Sequence, residues 1–303
     1  MKYVVVGGAG FIGSNLVDKL IGNKNEVIII DNFITGKKSN LNPKASVLEL
    51  DISNISNHDK IMHCMRGADT VFMLAAKARV QPSIENPIEY EINNTIGTLN
   101  MLKCASDAKV RRFVYSASSS AYGNSKKLPL KENFEANPMS PYGAQKFYGE
   151  VMCKVFAKVY QIQTVSLRYF NVYGERQNID GAYALVMGIF VHQRLNNQPM
   201  TINGDGEQRR DFTYVGDVVN ANILASSSKN VGNGEVIHIG NGDNRSVNQI
   251  AEMIGGPKIH LDPILEPNET LADNSLAKKL LNWEPTQKIE DWVRKYKKEI
   301  GLD

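Results

Sequence analysis

Apolar residues come in short runs that stop at small or acidic residues, and each run is followed by a stretch with helical spacing. Tyr3-Val4-Val5-Val6 is a β-branched run ending at glycines, as a buried parallel strand does. A helix-like segment, residues 14–20, leads to a second run, Val27-Ile28-Ile29-Ile30, which stops at Asp31. Further strands are read at residues 46–50, before Asp51 and Ile52, and at residues 70–74, where Leu74 precedes Ala75 and Ala76. Another is read at residues 113–116. Residues 89–108 read as one helix with Ile92, Ile96, Leu99 and Leu102 on one face. The alternation holds to Leu167 and breaks after Arg168-Tyr169-Phe170-Asn171-Val172-Tyr173-Gly174. The pattern predicts an α/β chain: a doubly wound parallel sheet over residues 1–167 and a smaller mixed α/β domain over 168–303, with some segments returning to the first.

The first turn adds chemistry. Gly7-Gly8-Ala9-Gly10-Phe11-Ile12-Gly13 lies between a strand and a helix. Glycines so spaced make a tight turn, let backbone approach a pyrophosphate, and aim a helix N-terminus at it. Alone they mark any βαβ turn; with Asp31 closing the second strand, they predict a Rossmann-type dinucleotide site. Asp31 would hold ribose hydroxyls and repel a 2′-phosphate, which favours NAD over NADP. Asp51 fits two roles equally, accepting from the adenine amine or capping the next helix. Small Ala75 and Ala76 let a cofactor lie close to the strand end.

Composition narrows the classes. A formal charge of +3 with no basic block gives no reason to expect a nucleic-acid partner. Residues 294–298, rich in lysine, read as a solvated helix face. Cys64, Cys104 and Cys153 have no metal-type or C-x-x-C spacing, so no metal site is expected and a reducing compartment is. Met1-Lys2 leads straight into the first strand, so no signal peptide is expected, and no run nears the about 18 apolar residues of a membrane span. The expected location is cytoplasmic.

Ser140-Pro141-Tyr142-Gly143-Ala144-Gln145-Lys146 is the densest candidate for catalysis. Ser140 is a fitting N-cap and Pro141 a fitting first helical residue. Tyr142 and Lys146, four apart, share a helix face. A phenol titrates near about 10, and a nearby ammonium favours the phenolate, so the pair makes a general base for a hydroxyl. Taken alone the spacing also fits the solvated side of an amphipathic helix. The serines after the fifth strand, Ser118-Ser119-Ser120, stand where ligands of open parallel sheets bind.

Together these features resemble the extended short-chain dehydrogenase/reductases that act on nucleotide sugars, with UDP-hexose 4-epimerases the nearest match. The resemblance spans nearly the whole chain and extends through residues 204–212, Leu271-Ala272-Asp273 and Trp283-Glu284-Pro285. It implies NAD held by Gly7, Gly10, Phe11, Ile12 and Gly13, by Asp31, Asn32, Thr35 and Gly36, and by Asp51 and Ile52. Leu74, Ala75, Ala76, Tyr142, Lys146 and Tyr169 complete that implied set. It also implies that Tyr142 takes the proton of a sugar 4-hydroxyl while a hydride leaves C4 for bound NAD and returns to the opposite face. Ser118 would bond the 4-oxygen. Lys146 would lower the Tyr142 pKa and bond the nicotinamide ribose. Ser120, Asn171 and Val186 would contact the UDP-sugar, and Arg210 its diphosphate.

Ser119 and Ser120 separate the reactions of this family. Its 4,6-dehydratases carry an Asp–Glu pair there, and its UDP-glucuronate decarboxylases a Glu at the Ser120 position. A hydroxyl cannot replace either carboxylate. Residues 176–184 and 202–206 resemble epimerases that accept N-acetylated sugars, and Thr270 stands where some relatives have a bulky tyrosine. Departures are Val6 for a threonine, Met73 for a histidine, Gln145 for a serine, and Pro263 for a second phosphate-binding arginine, so that either Arg209 compensates or UDP is bound more weakly. Apolar faces on residues 89–108 and 142–160, with the resemblance, imply a homodimer through a four-helix bundle.

Overall fold

The computed structural model describes residues 1–179 and 184–302. Its main sheet has seven strands, all parallel. In chain order these are β1 (Lys2–Val6), β2 (Glu26–Asp31), β3 (Ser46–Glu49), β4 (Thr70–Met73), β5 (Arg112–Ser118), β6 (Gln163–Tyr169) and a last strand, Asn233–Ile239. Their spatial order is the last strand, β6, β5, β4, β1, β2, β3. The order reverses between β1 and β4, and a crevice opens there beyond the strand ends.

Strand alternation sends side chains to two helix layers. Val5, Ile29, Phe72 and Leu167 pack beneath α1 (Phe11–Gly22) and a helix at Val215–Ser227. Val4, Val6, Val71, Phe113 and Tyr115 pack on the other face. That face is covered by α2 (His58–Met65), by the helical run through residues 87–107, and by the helix Pro141–Val159. Beyond the crevice a second cluster forms around Tyr173, Phe190, Ile202, Ile250 and Trp292. Among the described residues three two-stranded sheets lie outside the main one, one of them Met200–Asn203 with Lys258–Leu261.

The long helix differs from a plain amphipathic reading. It starts at Pro87 and contains one turn of π-helix at Ile92–Ile96 before continuing as Gly97–Asp107. The extra residue shifts the phase, so Leu102 is buried while Ile92 and Ile96 face outward. It also turns Asn94 inward, where its side chain holds both backbone groups of Lys77 at 2.8 and 2.9 Å. Gln145 pairs with the same Asn94 at 3.0 Å and donates to Glu91 at 3.1 Å, which gives the glutamine a structural use at that position. Before this run lies a short helix, Val80–Glu85. Among the described residues no helix is long and apolar enough to cross a membrane.

Candidate active site

The crevice holds a cleft of about 570 Å³. At its floor, Gly7 has φ 83° and a Cβ there would sit 2.6 Å from the Ala75 nitrogen. A Cβ on Gly13 would sit 2.1 Å from the Gly7 oxygen. Only glycine lets β1, the turn and α1 close together at these two points. Gly10 caps α1 without a side-chain bond, and the first turn carries no acid, so the helix N-terminus presents bare N–H groups to the cleft. Asp31 ends β2; its oxygens accept from the Ala9 and Phe33 amides, both at 2.9 Å. Each oxygen keeps a lone pair for a ribose hydroxyl. This floor fits a dinucleotide.

Ser118, Tyr142 and Lys146 meet on the opposite wall. Ser140 caps its helix by accepting from the Gly143 amide at 3.1 Å, with Pro141 in the first turn. Tyr142 and Lys146 therefore project from one face one turn apart. Lys146 is buried, donates to the Ser116 carbonyl at 2.8 Å, and lies 5.0 Å above the Tyr115 ring. Burial pushes its ammonium down to about 8, against the opposing effect of Glu150. Burial also raises the Tyr142 phenol, while the Ser118 hydroxyl and the Arg79 charge act the other way. Ser118 Oγ accepts from the Ser120 amide at 3.2 Å and its hydroxyl at 2.8 Å, so its own proton points elsewhere.

The residues match the family described as the NAD dependent epimerase/dehydratase family over positions 3–240. The chain belongs to that family. A UDP-glucose 4-epimerase of Thermotoga maritima, solved with UDP-glucose, is 36% identical with a TM-score of 0.93, covering 99% of this chain and 100% of that one. A UDP-N-acetylglucosamine 4-epimerase of Methanobrevibacter ruminantium, solved with UDP-N-acetylmuramic acid, is 35% identical with a TM-score of 0.90, covering 97% and 96%. A UDP-glucuronic acid 4-epimerase of Bacillus cereus, solved with UDP-glucuronic acid and NAD, is 34% identical with a TM-score of 0.90, covering 99% of each.

Within this member of the family, the cleft brings most of the expected residues together. Phe11, Ile12, Asn32, Thr35, Ile52, Leu74, Ala76 and Tyr169 line it on the dinucleotide side. Ser120, Asn171, Val186 and Arg210 line the other side. Two expected residues do not line it. Gly36 packs against Asp31, where a Cβ would come 2.8 Å from Oδ1. Asp51 turns its Oδ1 to the Ser53 amide at 2.8 Å and hydroxyl at 2.7 Å, in a local turn. Arg209 points away as well, onto Asn244 at 2.7 Å, so it does not stand in for the arginine that Pro263 replaces. Residues 180–183 of the segment compared with N-acetyl-accepting epimerases lie outside the described residues.

Three lining residues carried no signal in the sequence. Lys77 is buried and pairs with Glu89. Glu266 forms an ion pair with Arg210, which is itself 8% exposed. Arg79 precedes the Val80–Glu85 helix with φ 98°. The only carboxylates among the described lining residues are Asp31, at the end of β2, and Glu266 on Arg210.

Proposed function

We propose that the protein inverts C4 of a UDP-hexose with NAD kept bound, acting on UDP-glucose and UDP-galactose and on their N-acetylated counterparts. One observation carries this reading: Tyr142, Ser118 and Lys146 line one cleft in which serines, not carboxylates, stand at positions 119 and 120. Elimination of water or loss of carbon dioxide in this family draws on a carboxylate at Ser119 or Ser120, and hydroxyls stand there. The three solved UDP-sugar 4-epimerases that this chain resembles support it.

Bound NAD supplies hydride acceptance and return. Tyr142 takes the proton of the 4-hydroxyl as the C–H bond breaks and gives it back after the sugar has turned, so protons balance over a cycle. Positioned acid–base catalysis of this kind contributes about 10²- to 10⁴-fold. The free proton of Ser118 bonds the 4-oxygen. Lys146 holds a ribose hydroxyl, and Asn171 and Val186 bound the sugar. Arg210 presents a planar fork to the paired diphosphate oxygens. Thr270, small and at the cleft wall, leaves room for an acetamido group.

We further propose a homodimer. Ile84, Ile88, Ile92 and Ile96 recur every fourth residue and are exposed, as are Val151, Val155 and Val159 on the neighbouring helix. Two such adjoining stripes suit a bundle of four helices.

The test is turnover of UDP-glucose, UDP-N-acetylglucosamine and UDP-glucuronate by purified protein with no added cofactor. The 4-epimer should form without carbon dioxide release. Tyr142→Phe should lose about 10²-fold or more while still carrying NAD. Carbon dioxide from UDP-glucuronate, or full activity in Tyr142→Phe, would overturn the reading.

A further inference from the structure

Ser118 and Tyr142 reach the cleft from different segments. Ser118 ends β5 and caps a tight turn, Ser119–Tyr122. Tyr142 stands in the first turn of the helix Pro141–Val159. Lys146 ties that helix to β5 itself, through the Ser116 carbonyl at 2.8 Å. The turn beyond β5 touches the helix at the front, where a Cβ on Gly143 would come 2.7 Å from the Ser120 carbonyl oxygen. A touching point fixes a distance but not an angle. The angle between turn and helix is fixed by a second link behind the cleft.

That link is a buried row of side chains. Tyr122, at the end of the turn, is 2% exposed. Its hydroxyl accepts from Arg168 Nη1, and the Arg168 guanidinium lies 4.5 Å from the centre of its ring. Arg168, on β6, donates with its other nitrogens to both oxygens of Glu150. Glu150 stands two turns beyond Tyr142 on the same side of the helix. The serine turn and the catalytic helix are therefore joined by Tyr122, Arg168 and Glu150.

The remaining partners of the Tyr122 hydroxyl belong to other segments. Its single proton lies between the Lys131 carbonyl, at 2.9 Å, and His238 Nε2, at 2.5 Å. His238 Nδ1 faces the Asp273 carbonyl at 3.2 Å, which can only accept, so Nδ1 carries the ring proton and Nε2 accepts. Burial, with the Arg168 charge, keeps the ring neutral. Tyr122, Arg168, Glu150 and His238 do not line the cleft.

We propose that Tyr122 is a positioning residue: through its hydroxyl bond to Arg168 it sets Ser118 Oγ against the Tyr142 phenol. This rests on the 4-epimerase reading for the task of Ser118, the bond to the sugar 4-oxygen, and it assigns a role in turnover to a side chain outside the cleft.

The test compares wild type, Tyr122→Phe, Ser118→Ala and their double variant in UDP-glucose turnover, well below their melting temperatures. Tyr122→Phe keeps the ring and loses the hydroxyl. Its kcat should fall about 10- to 100-fold, with KM changed less than about twofold. The double variant should be no slower than Ser118→Ala alone, because Tyr122 acts through Ser118. His238→Leu is the control for a merely structural role. It takes a buried partner from the same hydroxyl and should lower the melting temperature, yet it leaves the Arg168 bond and should keep kcat within about threefold of wild type. Where Tyr122→Phe does not fold, Arg168→Lys takes its place, since a lysine keeps the charge on Glu150 without the fork that reaches Tyr122. An unchanged kcat in Tyr122→Phe, losses that multiply in the double variant, or an equal kcat loss in His238→Leu would overturn the proposal, while turnover by wild type leaves the functional reading standing. Absence of turnover in wild type would sink the functional reading, and amide hydrogen exchange would then decide on Tyr122. Residues 119–123 and 141–150 should both exchange faster in Tyr122→Phe than in His238→Leu, and equal exchange would overturn the link.

Discussion

Glu150 offers the most direct test of how the catalytic helix is anchored. It is 1% exposed and sits one turn beyond Lys146. Both its oxygens accept from Arg168, at 2.7 and 2.6 Å, and Arg168 is 3% exposed. Removing one partner of such a pair leaves a buried charge unmatched, at a cost of about 3–5 kcal/mol. Glu150→Ala should lose that amount. Glu150→Gln keeps one acceptor and should lose about 2 kcal/mol, the worth of a charge-assisted hydrogen bond. With a urea dependence of about 2 kcal/mol per molar, the unfolding midpoints should drop by about 2 M and 1 M. Adding Arg168→Met to Glu150→Ala should recover much of the loss, because the orphaned charge goes too. The variant should also affect Lys146, since Glu150 is the group that favours its protonated form against burial. The alkaline limb of kcat in Glu150→Gln should therefore begin at lower pH than in wild type. A Glu150→Ala midpoint within about 0.3 M of wild type would refute the reasoning, as would a double variant less stable than either single one.

The lowered Lys146 pKa has its own signature in stability. Between about 8 and the ordinary 10.5 the unfolded chain holds this proton and the folded chain does not. Stability due to this group therefore rises with pH across that window and is lowest below it; urea unfolding of wild type against Lys146→Met should show the difference, and a fall instead of a rise refutes it. Gly13→Ala forces a Cβ to 2.1 Å from the Gly7 oxygen, so co-purified NAD, measured after acid release, should be largely lost. Ile92→Lys with Val155→Lys places charges on both exposed stripes and should turn a dimer into a monomer in sedimentation velocity; a monomeric wild type would rule out the proposed pairing.

The parts of the fold legible in the sequence are those set by local pattern. Val4, Val5 and Val6 stopping at Gly7, and Ser140-Pro141 before Tyr142, specify a strand end and a helix start from neighbouring residues alone. Positions set by distant partners were harder to read. Asn233–Ile239 joins the main sheet beside β6 because of pairing about seventy residues away in sequence, which local alternation does not encode. The π-turn at Ile92–Ile96 has no residue signature, yet it decides which isoleucines face outward. One oxygen of Asp51 is taken by Ser53, two residues on, a local bond of the kind short polar side chains often make. Arg79 carries no glycine-like signal for its φ, and only the structure shows that it lines the cleft.

The backbone leaves the main sheet after Tyr169 and comes back for Val215–Ser227 and Asn233–Ile239. It leaves again and comes back for Ser275–Leu281. Near these passages the buried Asp211 accepts from the amides of Asn241, Gly242 and Ala272 at 2.7, 2.9 and 3.0 Å, riveting separate strands of the chain at one point. A lid hung from one thread swings wide; one laced through its base at several eyelets can only tilt. Such lacing suits a container that has to let its half-finished contents roll over without spilling them.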